Sequence, residues 1–348
     1  MSRVAIIGSG AWGTALAISL AQRRAEQKDR RPSHSIALWS HTAAVANAIV
    51  QHRENRTYLP GYVVPDAVRP TADLVQALAS AEIVIGVMPS AHVHAIYSSM
   101  APHLTADQVI VSATKGVVTG GGTVTYQRVS EVIAAALDAH RLSLPCAVLS
   151  GPSFAQEVAA GRPTAMTIAC LDSALASRLQ DELSGPALRL YTNDDVVGVE
   201  LGGALKNVIA IATGIVSGLG LGHNSAAALI TRGIAEITRL AVACGGRRET
   251  MAGLAGLGDL VLTCTGELSR NRRVGFELGK GHRLSDILNS MGGKVAEGVL
   301  TTRAALGLAT AHGIEMPITT QVDAILHRGR SPREAVAELM RRPGRDEL

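Results

Sequence analysis

The stretch VAIIGSGAWGTALA at residues 4–17 decides the fold. Its first four residues form an apolar, β-branched run typical of a buried strand, and a helical pattern of apolar residues follows at 14–24. Between the two lies a Gly-x-Gly-x-x-Gly pattern. In this context Gly8 permits a tight turn, Gly10 lets the backbone approach a pyrophosphate, and Gly13 lets the helix pack on the strand. The start of the helix then offers N–H groups and a partial positive charge to phosphates. We predict a dinucleotide-binding site; the alternative is a glycine-rich turn without a ligand.

The alternation of strand and helix continues through the first half of the chain. The pattern predicts strands at residues 35–39, 83–88, 109–112 and 147–149, and helices at 91–100 and 124–137. Such alternation implies a parallel sheet with right-handed crossovers. After about Asp195 the pattern is helical, with helices predicted at 199–216, 225–243, 272–279 and 296–307 and no strong strand pattern. We therefore predict an α/β fold with a doubly wound Rossmann domain over residues 1–195 and an all-helical domain over 196–348.

Composition limits the classes of function. The chain has 348 residues, of which 47% are hydrophobic and 18% charged, so it can bury a sizeable core. A net charge of +4 in scattered clusters does not support nucleic-acid binding, and an anionic substrate is the simpler explanation. The four cysteines and the histidines lack zinc-site spacing, so we predict no metal. The longest apolar stretch, 208–221, is shorter than a membrane span, and no secretory leader pattern is present. The pattern of the four cysteines favours small buried side chains in a reducing compartment.

The end of the second predicted strand bears on the choice of cofactor. NAD-specific folds usually place Asp or Glu there to bind the ribose hydroxyls, whereas this chain has Ser40 and His41. No carboxylate is present to repel a 2′-phosphate, and a protonated His41 would attract one. We predict that NADPH is the cofactor and that NADH is accepted as well. The other interpretation places an acidic partner elsewhere in the chain.

Lys206 is the strongest candidate for a proton donor. It lies in ELGGALKN (200–207), in the middle of an otherwise apolar helix. Burial of an ammonium is costly and would lower its pKa toward neutrality, which suits a general acid–base group. The alternative is a lysine whose amine reaches solvent. The adjacent Gly202 and Gly203 favour the first interpretation, because they let another segment or a ligand come close.

Three further segments carry candidate site residues. Asp259, in GLAGLGDLVLTCT (253–265), could hold Lys206 through a charge-assisted hydrogen bond. In SRNRR (269–273), a helix start and a guanidinium could converge on a phosphate, and the alternative is an N-capped helix with a solvated arginine. Lys115 follows the strand at 109–112, at the edge where ligands bind doubly wound sheets, and an exposed loop lysine is the alternative.

Together these segments resemble a known family. The matching runs are GSGAWGTALA (8–17), NRTYLP (55–60), Lys115-Gly116, SGPSFAQEVA (150–159), ELGGALKNVIAIATGI (200–215), AALITRG (227–233), GLAGLGDLVLTCT (253–265), SRNRR (269–273) and VAEGV (295–299). In this order they cover nearly the whole chain, and they resemble the bacterial-type NAD(P)-dependent glycerol-3-phosphate dehydrogenases.

The resemblance implies a reaction and roles for individual residues. The expected reaction is the reversible reduction of dihydroxyacetone phosphate to glycerol 3-phosphate, which supplies phospholipid synthesis in the cytoplasm, often by a homodimer. Lys206 would transfer the proton, assisted by Asp259. The expected substrate site comprises Lys115, Gly151, Ser153, Lys206, Asn207, Asp259, Thr263, Ser269, Arg270 and Asn271. The expected cofactor site comprises Gly8, Gly10, Ala11, Trp12, Gly13, His41, Lys115, Ala155, Arg270, Val295 and Glu297.

Two rival functions remain at this point. A β-hydroxyacid dehydrogenase also joins a Rossmann domain to helices that carry a lysine, but it would not need a phosphate anchor such as SRNRR. A dinucleotide-sensing module would bind NADPH without turnover, and it would have no reason to keep a buried lysine beside an aspartate.

Overall fold

The computed structural model describes residues 2–26, 35–119, 126–291, 296–344 and 346. The described residues form two compact units. The first contains those of Met1–Lys115 and Gln127–Glu200, and the second contains those of Gly116–Tyr126 and Leu201–Leu348.

Twelve strands are present in the described part of the chain. They are β1 Arg3–Ile7, β2 Ser35–Trp39, β3 Glu54–Asn55, β4 Leu59–Val63, β5 Val68–Thr71, β6 Ile83–Gly86, β7 Val109–Ser112, β8 Val117–Thr119, β9 Tyr126–Arg128, β10 Cys146–Ser150, β11 Thr164–Ala169 and β12 Leu188–Asn193. The helices are α1 Ala11–Glu26, α2 Ala43–His52, α3 Leu74–Leu78, α4 Val93–Met100, α5 Val129–Asp138, α6 Ala155–Ala159, α7 Ser173–Leu183, α8 Val196–Gly218, α9 Gly222–Ala243, α10 Arg248–Met251, α11 Asp259–Thr265, α12 Arg270–Gly279, α13 Leu284–Ser290, α14 Glu297–Ala311, α15 Pro317–His327 and α16 Pro332–Met340. Short 3₁₀ turns span Ser90–His92 and Ala101–His103, and a π-helical turn spans Leu254–Gly258.

The first unit is built on an eight-stranded sheet in the order β12-β11-β10-β7-β6-β1-β2-β5. The chain runs outward from β1 through β2 to β5 and returns to place β6 on the other side of β1, so the strand order reverses between β1 and β6. This reversal makes a doubly wound sheet, in which ligands bind at the carboxyl ends of the strands beside the switch point. The predicted Rossmann architecture is therefore confirmed.

The parallel sheet needs one correction. β10 pairs with β11 antiparallel, and β11 pairs with β12 parallel, so the last two strands run opposite to the other six. The sequence pattern predicts neither of these two strands nor β5. β12 alternates buried and exposed residues only partly, and β5 contains Pro70 at the edge of the sheet, where a missing N–H is tolerated. None of the three has the continuous apolar run of a central strand.

The predicted helix at 124–137 also begins later than expected. Among its described residues, Tyr126–Arg128 are strand β9, and the helix starts at Val129. The backbone N–H of Arg128 donates to Glu131 Oε2 at 2.8 Å, so the Glu131 carboxylate caps the start of the helix. The predicted strand at 83–88 ends earlier, at Gly86.

The chain after Asn193 is helical, as predicted: no strand occurs among its described residues. The second unit also includes β8, which lies in its Gly116–Tyr126 segment. The four predicted helices are present as α8, α9, α12 and α14, and each observed end lies within about four residues of the predicted one. Gly245, just beyond α9, has a φ of +93°, which suits the residue that follows a helix end.

Helix α8 begins twelve residues before the apolar 208–221 stretch and ends within it, at Gly218. By length and composition it could cross a membrane, but its apolar segment is fully buried within the protein. Core helices meet the same criteria of length and composition, and complete burial is what a core helix shows.

Candidate active site

The glycine-rich loop joins β1 to α1 at the switch point of the sheet. The N–H of Gly8 donates to the carbonyl oxygen of Trp39 at 3.1 Å. Gly8 has a φ of +127°, and a β-carbon there would collide with the carbonyl of Val87, the residue after β6. A β-carbon on Gly13 would collide with the carbonyl of Gly8. Two of the three glycines are therefore required by the protein's own packing.

Gly10 differs from the other two glycines of the motif. Among the described residues, no heavy atom outside its immediate neighbours lies within 4 Å of a β-carbon built there. The space beside this glycine is open, and it lies at the start of α1, where N–H groups and the helix dipole favour an anion. Ala11 and Trp12, the first residues of that helix, are partly exposed. This open cradle fits the pyrophosphate of a dinucleotide.

The glycine-rich loop has a buried partner, Asn55, that no local sequence pattern predicts. The Asn55 side chain is 1% exposed, and its Nδ2 donates to the carbonyl of Ser9 at 2.7 Å and to Thr14 Oγ1 at 2.8 Å. Asn55 belongs to the NRTYLP run that the resemblance includes, but that run alone assigns it no role. A polar residue 41 positions from Thr14 gives no local pattern that would predict the contact.

The end of β2 places Ser40 and His41 differently. Ser40 is buried, and its hydroxyl donates to the carbonyl of Thr42 at 3.1 Å, so it stabilises its own turn. His41 is exposed, with its ring edge-on to Trp39 at a centroid distance of 6.1 Å. Of Ser40 and His41, His41 is therefore the one whose side chain is accessible to a ligand.

The other predicted site residues of the first unit follow the carboxyl ends of β7 and β10. Lys115 Nζ donates to the carbonyl of Gly151 at 3.3 Å, and Ser153 Oγ donates to the same carbonyl at 2.9 Å. Gly151 has a φ of +141°, and a β-carbon there would lie 3.0 Å from the Cα of Met166. Ala155, the first residue of α6, packs against the core. The structure therefore brings the loops after β7 and β10 together.

In the second unit, Lys206, Asp259 and Thr263 form a buried polar cluster. Their exposed fractions are 7%, 0% and 4%. The Lys206 ammonium makes a hydrogen-bonded ion pair with the Asp259 carboxylate and donates to Thr263 Oγ1 at 2.8 Å. Thr263 Oγ1 in turn donates to the backbone carbonyl of Asp259 at 2.7 Å. The pairing of Lys206 with Asp259 matches the expectation from the sequence, and Thr263 lies in the same cluster.

Glycines bring the two helices of this cluster together. A β-carbon on Gly202, one turn before Lys206 in α8, would lie 2.7 Å from the carbonyl oxygen of Ala255. Ala255 belongs to the π-helical turn that precedes Asp259, and a β-carbon on Gly256 would collide with the carbonyl of Met251. A π-helical turn is uncommon and often marks a functional site. Small residues here allow the close approach that places Asp259 beside Lys206.

Cys264 adjoins this cluster but is not a nucleophile. Burial raises the pKa of its thiol to about 12, against a smaller opposing effect of a hydrogen bond with Thr213 and of the Lys206 charge. A thiol with such a pKa stays protonated and unreactive near neutral pH.

A second polar cluster links three helices of the same unit. Asn271 Nδ2 donates to Asn207 Oδ1 at 2.9 Å, and the N–H of Gly298 donates to Asn271 Oδ1 at 3.0 Å. Asn207 follows Lys206 directly in α8, so the cluster adjoins the lysine. Glu297, the first residue of α14, is partly exposed beside Gly298. Val295, predicted to bind the cofactor, lies outside the described residues.

The start of α12 has the geometry of an anion site with an N-cap. Ser269 is the N-cap and accepts a hydrogen bond from the N–H of Arg272 at 3.2 Å. Arg270 is exposed. The two interpretations from the sequence are therefore compatible, because the capped helix start and an accessible guanidinium occur together.

No group of three or more His, Cys, Asp or Glu side chains suited to a metal ion occurs in the part of the chain that the structure describes.

Comparison with known proteins identifies the family. The profile for the N-terminus of NAD-dependent glycerol-3-phosphate dehydrogenase matches residues 3–176, and the profile for its C-terminus matches residues 195–337. A doubly wound dinucleotide fold joined to a helical unit with a buried lysine–aspartate pair defines a nicotinamide-dependent dehydrogenase. The chain belongs to the NAD-dependent glycerol-3-phosphate dehydrogenase family.

Individual relatives agree over their full length. The chain is 62% identical to glycerol-3-phosphate dehydrogenase (NAD(P)+) of Acidobacterium capsulatum, with 100% of both chains covered. It is 58% identical to the enzyme of that name from Koribacter versatilis, with 100% of this chain and 99% of the relative covered. A crystal structure of glycerol-3-phosphate dehydrogenase from Coxiella burnetii has 42% identity and a TM-score of 0.89, and the match covers 98% of this chain and 99% of that one. The β-hydroxyacid dehydrogenase alternative is thereby set aside.

Proposed function

We propose that this protein reduces dihydroxyacetone phosphate to sn-glycerol 3-phosphate with NAD(P)H, reversibly, and so supplies glycerophospholipid synthesis. The observation that carries the proposal is the buried Lys206–Asp259–Thr263 cluster in a chain whose relatives bear this enzyme's name. The enzyme is an oxidoreductase rather than a sensing module, because a module that only binds the dinucleotide has no need of a buried proton-transfer group.

The first unit holds the dinucleotide. Gly8, Gly10, Ala11, Trp12 and Gly13 form the cradle for the pyrophosphate, and His41 is the proposed neighbour of the adenosine ribose. Because the accessible side chain at this position is an imidazole and not a carboxylate, we propose that NADPH is used and that NADH is accepted as well. The further proposed cofactor contacts are Lys115, Ala155, Arg270, Val295 and Glu297. When bound, the cofactor supplies the hydride for C2 of the ketone.

Lys206 supplies the proton. Hydride addition leaves negative charge on the oxygen at C2, and a positioned ammonium can stabilise this charge and donate a proton to it. Asp259 and Thr263 hold the Lys206 amine in one direction, because both accept hydrogen bonds from it. In the reverse reaction the same amine accepts the proton from glycerol 3-phosphate.

The start of α12 anchors the phosphate. Arg270 can bind two phosphate oxygens through its planar guanidinium, and the helix start adds N–H groups next to Ser269. Asn207 and Asn271 are the neighbouring substrate contacts, since a carboxamide offers more donors and acceptors than their mutual bond and the bond to Gly298 use. Lys115, Gly151 and Ser153 are proposed to complete the substrate site. Phosphate binding far from the reacting carbon positions that carbon for hydride transfer.

We also propose a role for each domain, an oligomeric state and a location in the cell. Residues 1–195 form the dinucleotide-binding Rossmann domain, and residues 196–348 form the helical domain that carries most of the substrate site. The protein works as a homodimer in the cytoplasm, without a metal, a nucleic-acid partner or a membrane span. The family assignment and the burial of α8 within the protein support these proposals.

The test is the initial rate of NADPH oxidation by the purified protein with three ketones. We expect rapid oxidation with dihydroxyacetone phosphate and slow oxidation with unphosphorylated dihydroxyacetone, because only the first can engage Arg270. A β-keto acid should give no reaction. Preference for the β-keto acid would overturn the proposed substrate, and NADPH binding without turnover of any ketone would overturn the proposed reaction.

A further inference from the structure

We infer that Asn55 is a positioning residue for the dinucleotide: its carboxamide sets the direction of the Ser9–Gly10 peptide so that the Gly10 N–H faces the pyrophosphate. This inference rests on the proposed function for the identity of the ligand. The geometry that carries it lies wholly within the first unit.

The Asn55 carboxamide makes hydrogen bonds through both its nitrogen and its oxygen. Asn55 Nδ2 donates to the Ser9 carbonyl and to Thr14 Oγ1, and its Oδ1 accepts from the N–H of Tyr58 at 3.2 Å. Thr14 Oγ1 also donates to the Ser9 carbonyl, at 3.3 Å. Ser9, Thr14 and Asn55 are 6%, 0% and 1% exposed. Two buried donors thus converge on one carbonyl oxygen of the glycine-rich loop, and a buried polar contact of this kind is costly to break.

The planar Ser9–Gly10 peptide links the direction of the Ser9 carbonyl to that of the Gly10 N–H. In a planar trans peptide, the carbonyl and the following N–H point in opposite directions. Because the Ser9 carbonyl points inward to Asn55, the N–H of Gly10 points away from this buried side chain. A β-carbon built on Gly10 would meet no neighbouring heavy atom within 4 Å among the described residues, so the open space begins at this residue. A carbonyl turned into that space would repel a phosphate, whereas an N–H attracts one.

The β3–β4 hairpin supports Asn55. Asn55 lies in β3, which pairs with β4 in a hairpin, and the N–H of Gly61 donates to Glu54 Oε1 at 2.8 Å in the same hairpin. Gly8 is fixed separately, through its N–H bond to Trp39. The loop is therefore held on both sides of Ser9, and Asn55 is the contact that selects the orientation of the Ser9–Gly10 peptide.

The experiment compares Asn55→Ala with Glu54→Ala, a truncation of the adjacent hairpin residue, whose carboxylate accepts from the N–H of Gly61 and from Arg56 Nε. NADPH affinity is measured directly by fluorescence titration without substrate, and amide hydrogen exchange is followed for residues 8–14. We expect Asn55→Ala to raise the dissociation constant of NADPH about tenfold and to speed exchange in the loop. Its kcat at saturating NADPH should stay within about twofold of wild type. Glu54→Ala should leave the affinity within about twofold of wild type.

A second pair tests the same carbonyl if Asn55→Ala folds poorly. Thr14→Val removes the second donor to Ser9, and Thr14→Ser keeps it, so only the valine variant should weaken NADPH binding. Unchanged NADPH affinity in both Asn55→Ala and Thr14→Val would overturn the inference. Equal weakening by Glu54→Ala would also overturn it, since the hairpin as a whole would then be responsible. Normal NADPH binding by the wild type without reduction of dihydroxyacetone phosphate would overturn the proposed function alone, because the affinity comparison would still hold.

Discussion

Lys206 and Asp259 form a buried ion pair although 53 positions separate them in the sequence. A charged pair removed from water is expensive to bury, and burial alone gives it little net stability. Chains retain such pairs where a charge must be held in a defined place. Here the Lys206 ammonium also donates to Thr263. The π-helical turn before Asp259 approaches α8 so closely that position 202 must be glycine. The arrangement is what a positioned proton donor needs.

Lys206→Ala should lower kcat for reduction of dihydroxyacetone phosphate by about 10²- to 10⁴-fold, the usual effect of losing a general acid. NADPH affinity should stay near that of the wild type, because the dinucleotide is held elsewhere. Lys280→Ala is the matched control, since this exposed lysine lies over the ring of Phe276 at 4.4 Å in the same unit. Near-normal turnover of the Lys206 variant would remove this lysine from the mechanism.

Thr263→Val should lower kcat about tenfold, because the Lys206 amine loses an acceptor that fixes its direction and one charge-assisted hydrogen bond is lost. Thr263→Ser keeps the hydroxyl and should retain most of the activity. Steady-state kinetics of the two variants side by side make the comparison. Equal activity of the valine and serine variants would show that the hydroxyl does not position the amine.

Gly10→Ala and Gly8→Ala should fail in different ways. A methyl group on Gly10 enters open space, so the protein should fold with normal stability and lose NADPH affinity by at least about tenfold. A methyl group on Gly8 meets the Val87 carbonyl at a φ of +127°, so that variant should be destabilised by more than about 1 kcal/mol. Urea unfolding and NADPH titration separate the two effects. Normal NADPH binding by Gly10→Ala would contradict the proposed path of the pyrophosphate.

Arg270→Ala should raise KM for dihydroxyacetone phosphate by roughly 10- to 100-fold, the effect of losing a hydrogen bond to a charged group. The activity with unphosphorylated dihydroxyacetone should change little, because that ketone has no phosphate to bind. Arg283→Ala, at the N-cap of α13, removes an exposed arginine from another helix start and serves as the control. If Arg270→Ala keeps wild-type KM and kcat, the phosphate anchor lies elsewhere.

Glu236 gives a prediction for pH. Burial raises the pKa of its carboxyl above the ordinary value of 4.5, although hydrogen bonds from Thr319 and Ile318 oppose this rise. In the folded state the group therefore binds its proton more tightly than in the unfolded state. Its contribution to stability is complete below about pH 4.5 and decreases as the pH rises through the raised pKa.

The measurement is the free energy of unfolding of wild type and Glu236→Gln between about pH 4 and pH 7. Any advantage of the wild type over the glutamine variant should shrink as the pH rises, because only the wild type can lose the proton. An advantage that grows with pH would mean that the hydrogen bonds outweigh burial and lower the pKa.

The sequence predicts the central strands, the long helices and the glycine-rich loop well, because each depends on local periodicity. It misses β11 and β12, whose place is determined by pairing with each other and with β10 rather than by an apolar run of their own. It also misses the antiparallel direction of this pair. The start of α5 is wrong because one capping residue, Glu131, determines where the helix begins.

In the candidate site too, the residues that local sequence patterns mark are predictable, and those that depend on distant contacts are not. Lys206 and Asp259 are predictable because a charged residue in an apolar helix, or after a run of glycines, is conspicuous in the sequence. Asn55 is not, because its role depends on a contact with Ser9 that spans 46 positions and on burial that the sequence does not reveal. Ser40 is named from its place after β2, but its hydroxyl bonds within its own turn. Local patterns therefore locate the loops, while side-chain partners need the three-dimensional structure.

The central claim is that hydride passes from the nicotinamide to C2 of a phosphorylated ketone. The most direct test incubates the protein with dihydroxyacetone phosphate and NADPH that carries deuterium at its transferable position, and analyses the product by mass spectrometry. The account predicts sn-glycerol 3-phosphate with one deuterium, on C2. Product without deuterium, or no product while NADPH remains bound, would contradict it.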